Sequence, residues 1–317
     1  MTLVKFLAGF LAALWMSAAA QAAPQQKRIA LTIDDVPRQP GAFFSSEERT
    51  RRLIAALRQA GVRQAAFFII PGNLDKDFGK GGEKRIAAYV RAGHVIANHS
   101  FSHQHLSELT AEAYVADIDR GATWLKGRPG LRPWFRYPFL DEGRRDIAKR
   151  DAVRAALRER GLRNGYITAD TNDWLMDSLV AQAKARGDKL DMKALRDLYL
   201  RIVVGAADFS DALARKALGR SPVHVMLMHE TDIEAMFLPD AVRALKADGW
   251  EVVTADEAFA DPIADEEPKS IRTSLGHIAA MADARGIPLK QIYEPTFGEE
   301  GITSAFAAEV LHKAPTP

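Results

Sequence analysis

Few residues in this chain could do covalent or metal chemistry, and they are unevenly placed. There are eight histidines and no cysteine. Three of the histidines fall in one stretch, "IANHSFSHQHL", residues 96–106. His99 and His103 form a His-x-x-x-His pattern, a spacing that can bring two imidazoles to one side of a turn and onto one metal ion. Paired surface histidines are common as well, so the pattern needs a third ligand from elsewhere. Without thiolates that ligand must be another histidine or a carboxylate. The adjacent pair Asp34-Asp35 can provide one. Consecutive side chains on extended backbone point to opposite sides. One aspartate can therefore bind the metal while its neighbour serves as general base. His229 has the titration range for a second proton-transfer group, and a carboxylate near it, Asp170 or Asp173, would hold its tautomer. Arg136 would sit near the base. A divalent ion held by two histidines and a carboxylate keeps a position open, acidifies water there and polarises a carbonyl. Together these residues imply metal-assisted hydrolysis of an acyl bond.

They can act together only if the fold gathers them. Short apolar runs at 28–33, 65–70, 94–98, 134–138, 164–168, 223–229 and 250–254 read as strands, and amphipathic stretches between them read as helices. The clearest helix follows Ser45, with Glu48 completing a capping-box pattern and Gly61 as its stop; others are expected over 83–92, 110–125, 144–160 and from Pro239 to Gly249. Such alternation implies a parallel sheet with right-handed crossovers, either closed as a barrel or open. No Gly-x-Gly-x-x-Gly follows the first strand, which argues against a dinucleotide site. In both architectures chemistry sits at the C-terminal ends of the strands. Those ends carry Asp34-Asp35, His99, Arg136, Asp170 with Asp173, and His229.

The 317 residues are 47% hydrophobic and 26% charged, with a formal net charge of +2. That is ample material for a large core, and no basic stripe marks nucleic acid as a partner. Residues 1–22 read as a signal peptide: Lys5, an apolar run to Met16, and a small-residue cleavage site ending at Ala22. The run is short for a membrane span. An exported protein, periplasmic or extracellular and without stable membrane insertion after cleavage, is expected.

The motifs "LTIDD", "NHSFSH", "RYPF", "DTNDW" and "LMH" stand in that order along the chain. In this they resemble the five motifs of the NodB-homology polysaccharide deacetylases, carbohydrate esterase family 4. The resemblance implies an α/β fold, a distorted (β/α)7 barrel over residues 23–260. A helical insertion at about 175–221 and a C-terminal extension over 261–317 would be added to it. It implies a metal-dependent hydrolase that removes N-acetyl groups from an amino-sugar poly- or oligosaccharide. One divalent ion is implied, Zn²⁺ in the first place, with Co²⁺ or Ni²⁺ fitting the same ligands. By the same resemblance Asp34 is the base and Asp35, His99 and His103 hold the metal. Arg136 orients the base. Phe139 stands where the family usually has Tyr and offers its backbone N–H to the oxyanion, and Leu140 replaces a common Gly. Asp173 partners His229, the general acid, while Trp174 and Leu227 line the substrate groove. His105 falls outside the pattern. Glu230, Asp232 and Glu234 are expected on the rim, where they would repel an anionic polymer. An O-acetyl esterase, an amidase on a non-sugar substrate, and a catalytically silent carbohydrate-binding protein remain as other readings. The complete set Asp34, Asp35, His99, His103 and His229 counts against the last. The tail reads as a linker, "ADEEPKS", and an amphipathic helix over 270–286, with His277 and His312 incidental.

Overall fold

In the computed structural model, which describes residues 26–313, eight parallel strands share one sheet. They are β1 (Lys27–Val36), β2 (Ala66–Ile69), β3 (Val95–Asn98), β4 (Leu131–Phe135), β5 (Arg163–Asn164), β6 (Ala169–Asp170), β7 (Val223–His229) and β8 (Trp250–Val253). Their order is β5-β4-β3-β2-β1-β7-β6, with β8 also paired to β1. β7 runs along most of β1, while β8 takes Lys27 to Ala30 and β2 takes Thr32 to Val36. The expected signal peptide lies outside the described residues.

The strand expected at 164–168 is split, and the split closes the sheet. Arg163 and Asn164 pair with β4, and Ala169 and Asp170 pair with β7 at the other edge. Between them the Gly165 N–H donates to Phe135 O at 2.7 Å and the Thr168 N–H to Val225 O at 2.8 Å. Residues 163–170 thus stitch the two edges together. A side chain at Gly165 would meet the Phe68 ring, with its Cβ 2.6 Å from Cε1, so only glycine lets the segment cross here. The curled parallel sheet with helices outside it is the distorted (β/α)7 barrel that the resemblance implies.

The helices are α1 (Ser46–Ala60), α2 (Gly82–Arg91), α3 (Ala111–Leu125), α4 (Ile147–Glu159), α5 (Asp173–Ala185), α6 (Met192–Leu218), α7 (Asp232–Ala247), α8 (Ala255–Ala258), α9 (His277–Ala284) and α10 (Glu299–Ala305). Both faces of β1 are buried. Ile29, Leu31 and Ile33 share one core with Leu53 and Leu57 of α1 and Leu238 and Val242 of α7. Ala30 shares a second core with Phe68, Ala97, Val225 and Leu227. Thr32 and Asp34 follow Ala30 on the same face by alternation, so the small and polar positions of β1 look into the barrel. α1 begins and ends as expected: Ser45 Oγ accepts from the Glu48 N–H, and Gly61 closes it at φ 72°.

α7 starts seven residues before the Pro239 start that the sequence reading gave it, with Pro239 inside it. Thr231 caps it by accepting the Glu234 N–H, and Asp232 and Glu234 stand in its first turn, where the helix dipole favours them. Thr-x-x-Glu is itself a helix-start signature, and here it outranks the proline. The span between Trp174 and Pro222 is filled by α5 and the long α6. The C-terminal segment inserts into both cores: Ile263, Ile278 and Met281 into the inner one, Ile302, Phe306 and Val310 into the outer. No described helix is long and apolar enough to cross a membrane.

Candidate active site

Parallel pairing puts the strand ends side by side. Asp34 and His229 are direct partners across β1 and β7. The backbone at this rim is unusual: Asp35 (φ 67°), Ser100 (φ 61°), His103 (φ 57°), Phe139 (φ 56°) and Asn172 (φ 48°) are all left-handed without being glycine. Such conformations cost of order 1–3 kcal/mol each and persist where surrounding structure over-determines them. The surroundings here are identifiable. Asp117 of α3 accepts the Phe101 and Ser102 N–H groups at 3.1 and 2.9 Å, and Ser100 Oγ accepts that of His103 at 2.9 Å.

Asp35, His99 and His103 converge, with their ligand atoms all within 4.8 Å of one another. His99 Nδ1 donates to the Arg136 carbonyl at 2.9 Å, which fixes the tautomer and leaves Nε2 as a lone pair facing the carboxylates. Burial pushes His99 down to about 4, so its ring is neutral at physiological pH, the form a metal needs. Asp35 Oδ1 is buried and accepts no hydrogen bond, although His103 Nε2 lies 3.2 Å away. A buried carboxylate oxygen facing two imidazole nitrogens, with no proton well placed between them, fits a divalent cation.

The proposed base is clamped. Arg136, fully buried, donates from Nη1 to Asp34 Oδ1 at 2.6 Å and to Thr32 Oγ1 at 2.8 Å. Its Nε donates to Gly165 O at 2.6 Å and its Nη2 to Tyr166 O at 3.2 Å, and the guanidinium lies 3.8 Å over the Phe68 ring. Asp34 Oδ2 is left facing His99 Nε2 at 3.5 Å, on the metal side. Across the cleft, Asp173 at the start of α5 receives both the His229 ring Nδ1 at 2.7 Å and the His229 N–H at 2.8 Å. Burial alone would lower His229, but the Asp173 charge and hydrogen bond, with Asp35 and Asp34 beyond, raise it to about 9. It is an imidazolium at neutral pH. Burial raises Asp170, which holds the Asn172 N–H at 2.9 Å and does not touch His229.

A cleft of about 970 Å³ opens over this constellation. Phe139, Trp174 and Leu227 all line it. Phe139 is 51% exposed, and the turn's own hydrogen bonds, Leu140 N–H to Tyr137 and Asp141 N–H to Pro138, leave its N–H unused. His105 is absent from the metal cluster among the described residues. It stacks on Phe139 instead, with ring centroids 3.7 Å apart at 13°, and its Nδ1 lies 3.3 Å from Asp141 Oδ2.

One expectation is overturned. Glu230, Asp232 and Glu234 are fully buried, not on the rim. Glu230 accepts the Arg38 N–H at 2.8 Å and the Tyr89 hydroxyl at 2.7 Å. Asp232 accepts the Phe43 and Phe44 N–H groups at 2.7 and 3.1 Å, Arg49 Nη1 lies 3.5 Å from it, and Tyr199 donates to Glu234 at 2.5 Å. Glu230 and Asp232 brace the loop after β1 from behind, and Glu234 ties α7 to α6. The signal was available: Arg49 falls on the apolar stripe of α1 with Leu53, Ala56 and Leu57, so it had to be buried beside acids.

A search of curated proteins finds no match. Among solved structures the chain is similar to a family 4 carbohydrate esterase from Streptomyces lividans in complex with acetate, at 22% identity and TM-score 0.50, over 77% of this chain and 100% of that one. It is also similar to the peptidoglycan deacetylase PdaC from Bacillus subtilis, at 20% identity and TM-score 0.45, over 74% and 91%. A further similar structure is a CE4 family pseudoenzyme from Bacillus anthracis, at 21% identity and TM-score 0.48, over 74% and 66%. The model of the polysaccharide deacetylase family matches residues 21–164, which contain the first three of the five motifs, and "DTNDW" and "LMH" follow beyond it. Residues 21–164 thus match the polysaccharide deacetylase family, and the barrel described above is the fold of the similar family 4 carbohydrate esterase structure.

Proposed function

We propose that this protein is a metal-dependent hydrolase that removes N-acetyl groups from an amino-sugar oligo- or polysaccharide. One observation carries the reading: a carboxylate clamped by Arg136 and an imidazolium clamped by Asp173 face each other beside three convergent metal ligands. A silent binding protein has no use for two opposed proton-transfer groups. Asp35, His99 and His103 would hold the ion, Zn²⁺ being the first choice for two imidazoles and a carboxylate. When bound, the ion supplies Lewis acidity to the scissile carbonyl and to water. Asp34 Oδ2, free of Arg136, takes the proton from the attacking water. The Phe139 N–H donates to the oxygen that becomes negative. His229, already protonated, gives its proton to the leaving nitrogen, and Asp173 stabilises the charge until then.

Nitrogen as the leaving atom is what requires His229 to be charged; an O-acetyl ester with its better leaving group needs the acid less. The amino-terminal leader reading adds an exported location to the proposal. The test is acetate release from a panel of N-acetylated and O-acetylated glycans, before chelation and after zinc is restored. Acetate from the N-acetylated members, lost on chelation and regained with zinc, is the expected result. Acetate from O-acetyl members alone would move the proposal to an esterase, and none from any member would end it.

A further inference from the structure

The catalytic cleft has a wall that the barrel does not supply. Beside the metal ligands and Phe139, the cleft is lined by Phe209 and Leu213 of α6 and, from the C-terminal segment, by Leu275, Tyr293, Glu294, Phe297, Glu299 and Glu300. This wall is built in. Asn172, next to Asp173, donates from Nδ2 to Phe297 O at 2.9 Å. The Phe297 ring lies against Gly205 of α6, where a Cβ would come within 2.2 Å of it. Beyond it Ile302, Phe306 and Val310 are buried in the main core.

Two properties of the wall point to a ligand. Tyr293 is 42% exposed and Leu275 37%, and with Phe139 they put exposed apolar surface along the same cleft. Apolar side chains held exposed at a catalytic opening fit the C–H faces of pyranose rings. The charge has one sign. Glu299 and Glu300 have no ion-pair partner among the described residues, Glu294 is bonded only by Thr296 of its own turn, and no Lys or Arg of this segment lines the cleft. In the first turn of α10 two glutamates also suit the helix dipole; that does not account for Glu294 or for the aromatic faces between them.

We infer that the segment 289–300, with α6, forms a sugar-binding wall that fits the cleft to a neutral or amine-bearing amino-sugar oligosaccharide several residues long and disfavours uronic-acid polymers. The inference takes the sugar's identity from the deacetylase reading. The wall also carries the selection against polyanions that the buried Glu230, Asp232 and Glu234 cannot exert.

The test separates binding from turnover. Zinc-loaded Asp34→Asn protein, with and without Tyr293→Ala, is titrated by calorimetry with the tetrasaccharide of N-acetylglucosamine, its fully deacetylated form and a galacturonate tetrasaccharide. Tyr293→Ala should weaken binding of the first two about tenfold, the value of one aromatic contact. The parent should bind the galacturonate most weakly, and Glu299→Gln with Glu300→Gln should narrow that gap about threefold, as exposed charges do. Unchanged affinity in Tyr293→Ala, no binding of any amino-sugar tetrasaccharide, or preferred binding of the galacturonate overturns the inference. Acetate release by the unmodified protein is scored apart. If it fails while Tyr293→Ala still weakens binding, the wall stands and the deacetylase reading falls.

Discussion

Asp173→Asn isolates the proposed acid from everything else in the site. Asparagine keeps the shape of the side chain and an oxygen for the His229 N–H, but removes the charge 2.7 Å from the ring. Burial is the largest influence on His229 and pushes it down; Asp173 is the main reason it stands at about 9 and not below its ordinary 6.5. Without that carboxylate the ring should return to 6.5 or lower. A fall of two units or more is worth about 3 kcal/mol against the protonated ring. At pH 8 only about 3% of the variant would hold the acid form, so acetate release should drop about 30-fold there and recover toward pH 6. A divalent cation in the site lowers the unmodified protein's alkaline limb below 9, so both proteins are compared at equal metal loading. Stability follows the same sign. A histidine raised in the folded state stabilises fully below its unfolded value of about 6.5, and the contribution is lost as pH rises through about 9. The urea midpoint of the unmodified protein should therefore fall between those limits, and that of the variant should fall less. If Asp173→Asn keeps the unmodified protein's alkaline limb and activity at pH 8, the acid assignment is wrong.

Asp34→Asn should keep its metal by elemental analysis and lose about 10²- to 10⁴-fold in acetate release, the usual contribution of a general base. His99→Ala should lose most of its metal in the same measurement. His105→Ala should retain metal and fold but lower kcat more than it changes KM, because the Phe139 turn loses the ring stacked on it. Phe306→Ala, deep in the outer core, should cost about 3–5 kcal/mol in urea unfolding; a cost near zero would mean that the C-terminal segment is not part of the cooperative fold.

What the sequence revealed followed the physics of each element. β7 is continuous and apolar, and its expected limits are those observed. The candidate metal cluster was legible because Asp35, His99 and His103 stand at or just past strand ends that parallel pairing brings together. The segment 164–168 was legible as extended chain, but not as a seam, because which edges it joins depends on strands far away in sequence. The wall was invisible for a related reason: Tyr293 lies in irregular chain between two short 3₁₀ turns and Phe297 in the second of them, with no periodicity, and only the burial of Ile302 and Phe306 carries them to the cleft. Glu230, Asp232 and Glu234 run against the usual link between charge and exposure because Arg49, Tyr89 and Tyr199 neutralise or bond them inside the fold.

Arg136 has one consequence that reaches beyond catalysis. The guanidinium that grips Asp34 also grips the carbonyls of Gly165 and Tyr166, in the segment that closes the barrel. The same three-way grip makes the integrity of the closure and the aim of the base a single mechanical variable. Any opening that unlaces residues 163–170 takes away two acceptors of Arg136 and sets Asp34 adrift, even with the metal ligands undisturbed. Amide hydrogen exchange at Gly165 and Thr168 should then report the same opening free energy as reversible loss of activity in mild denaturant. The chain would lose its chemistry by unzipping at this latch before it loses its shape.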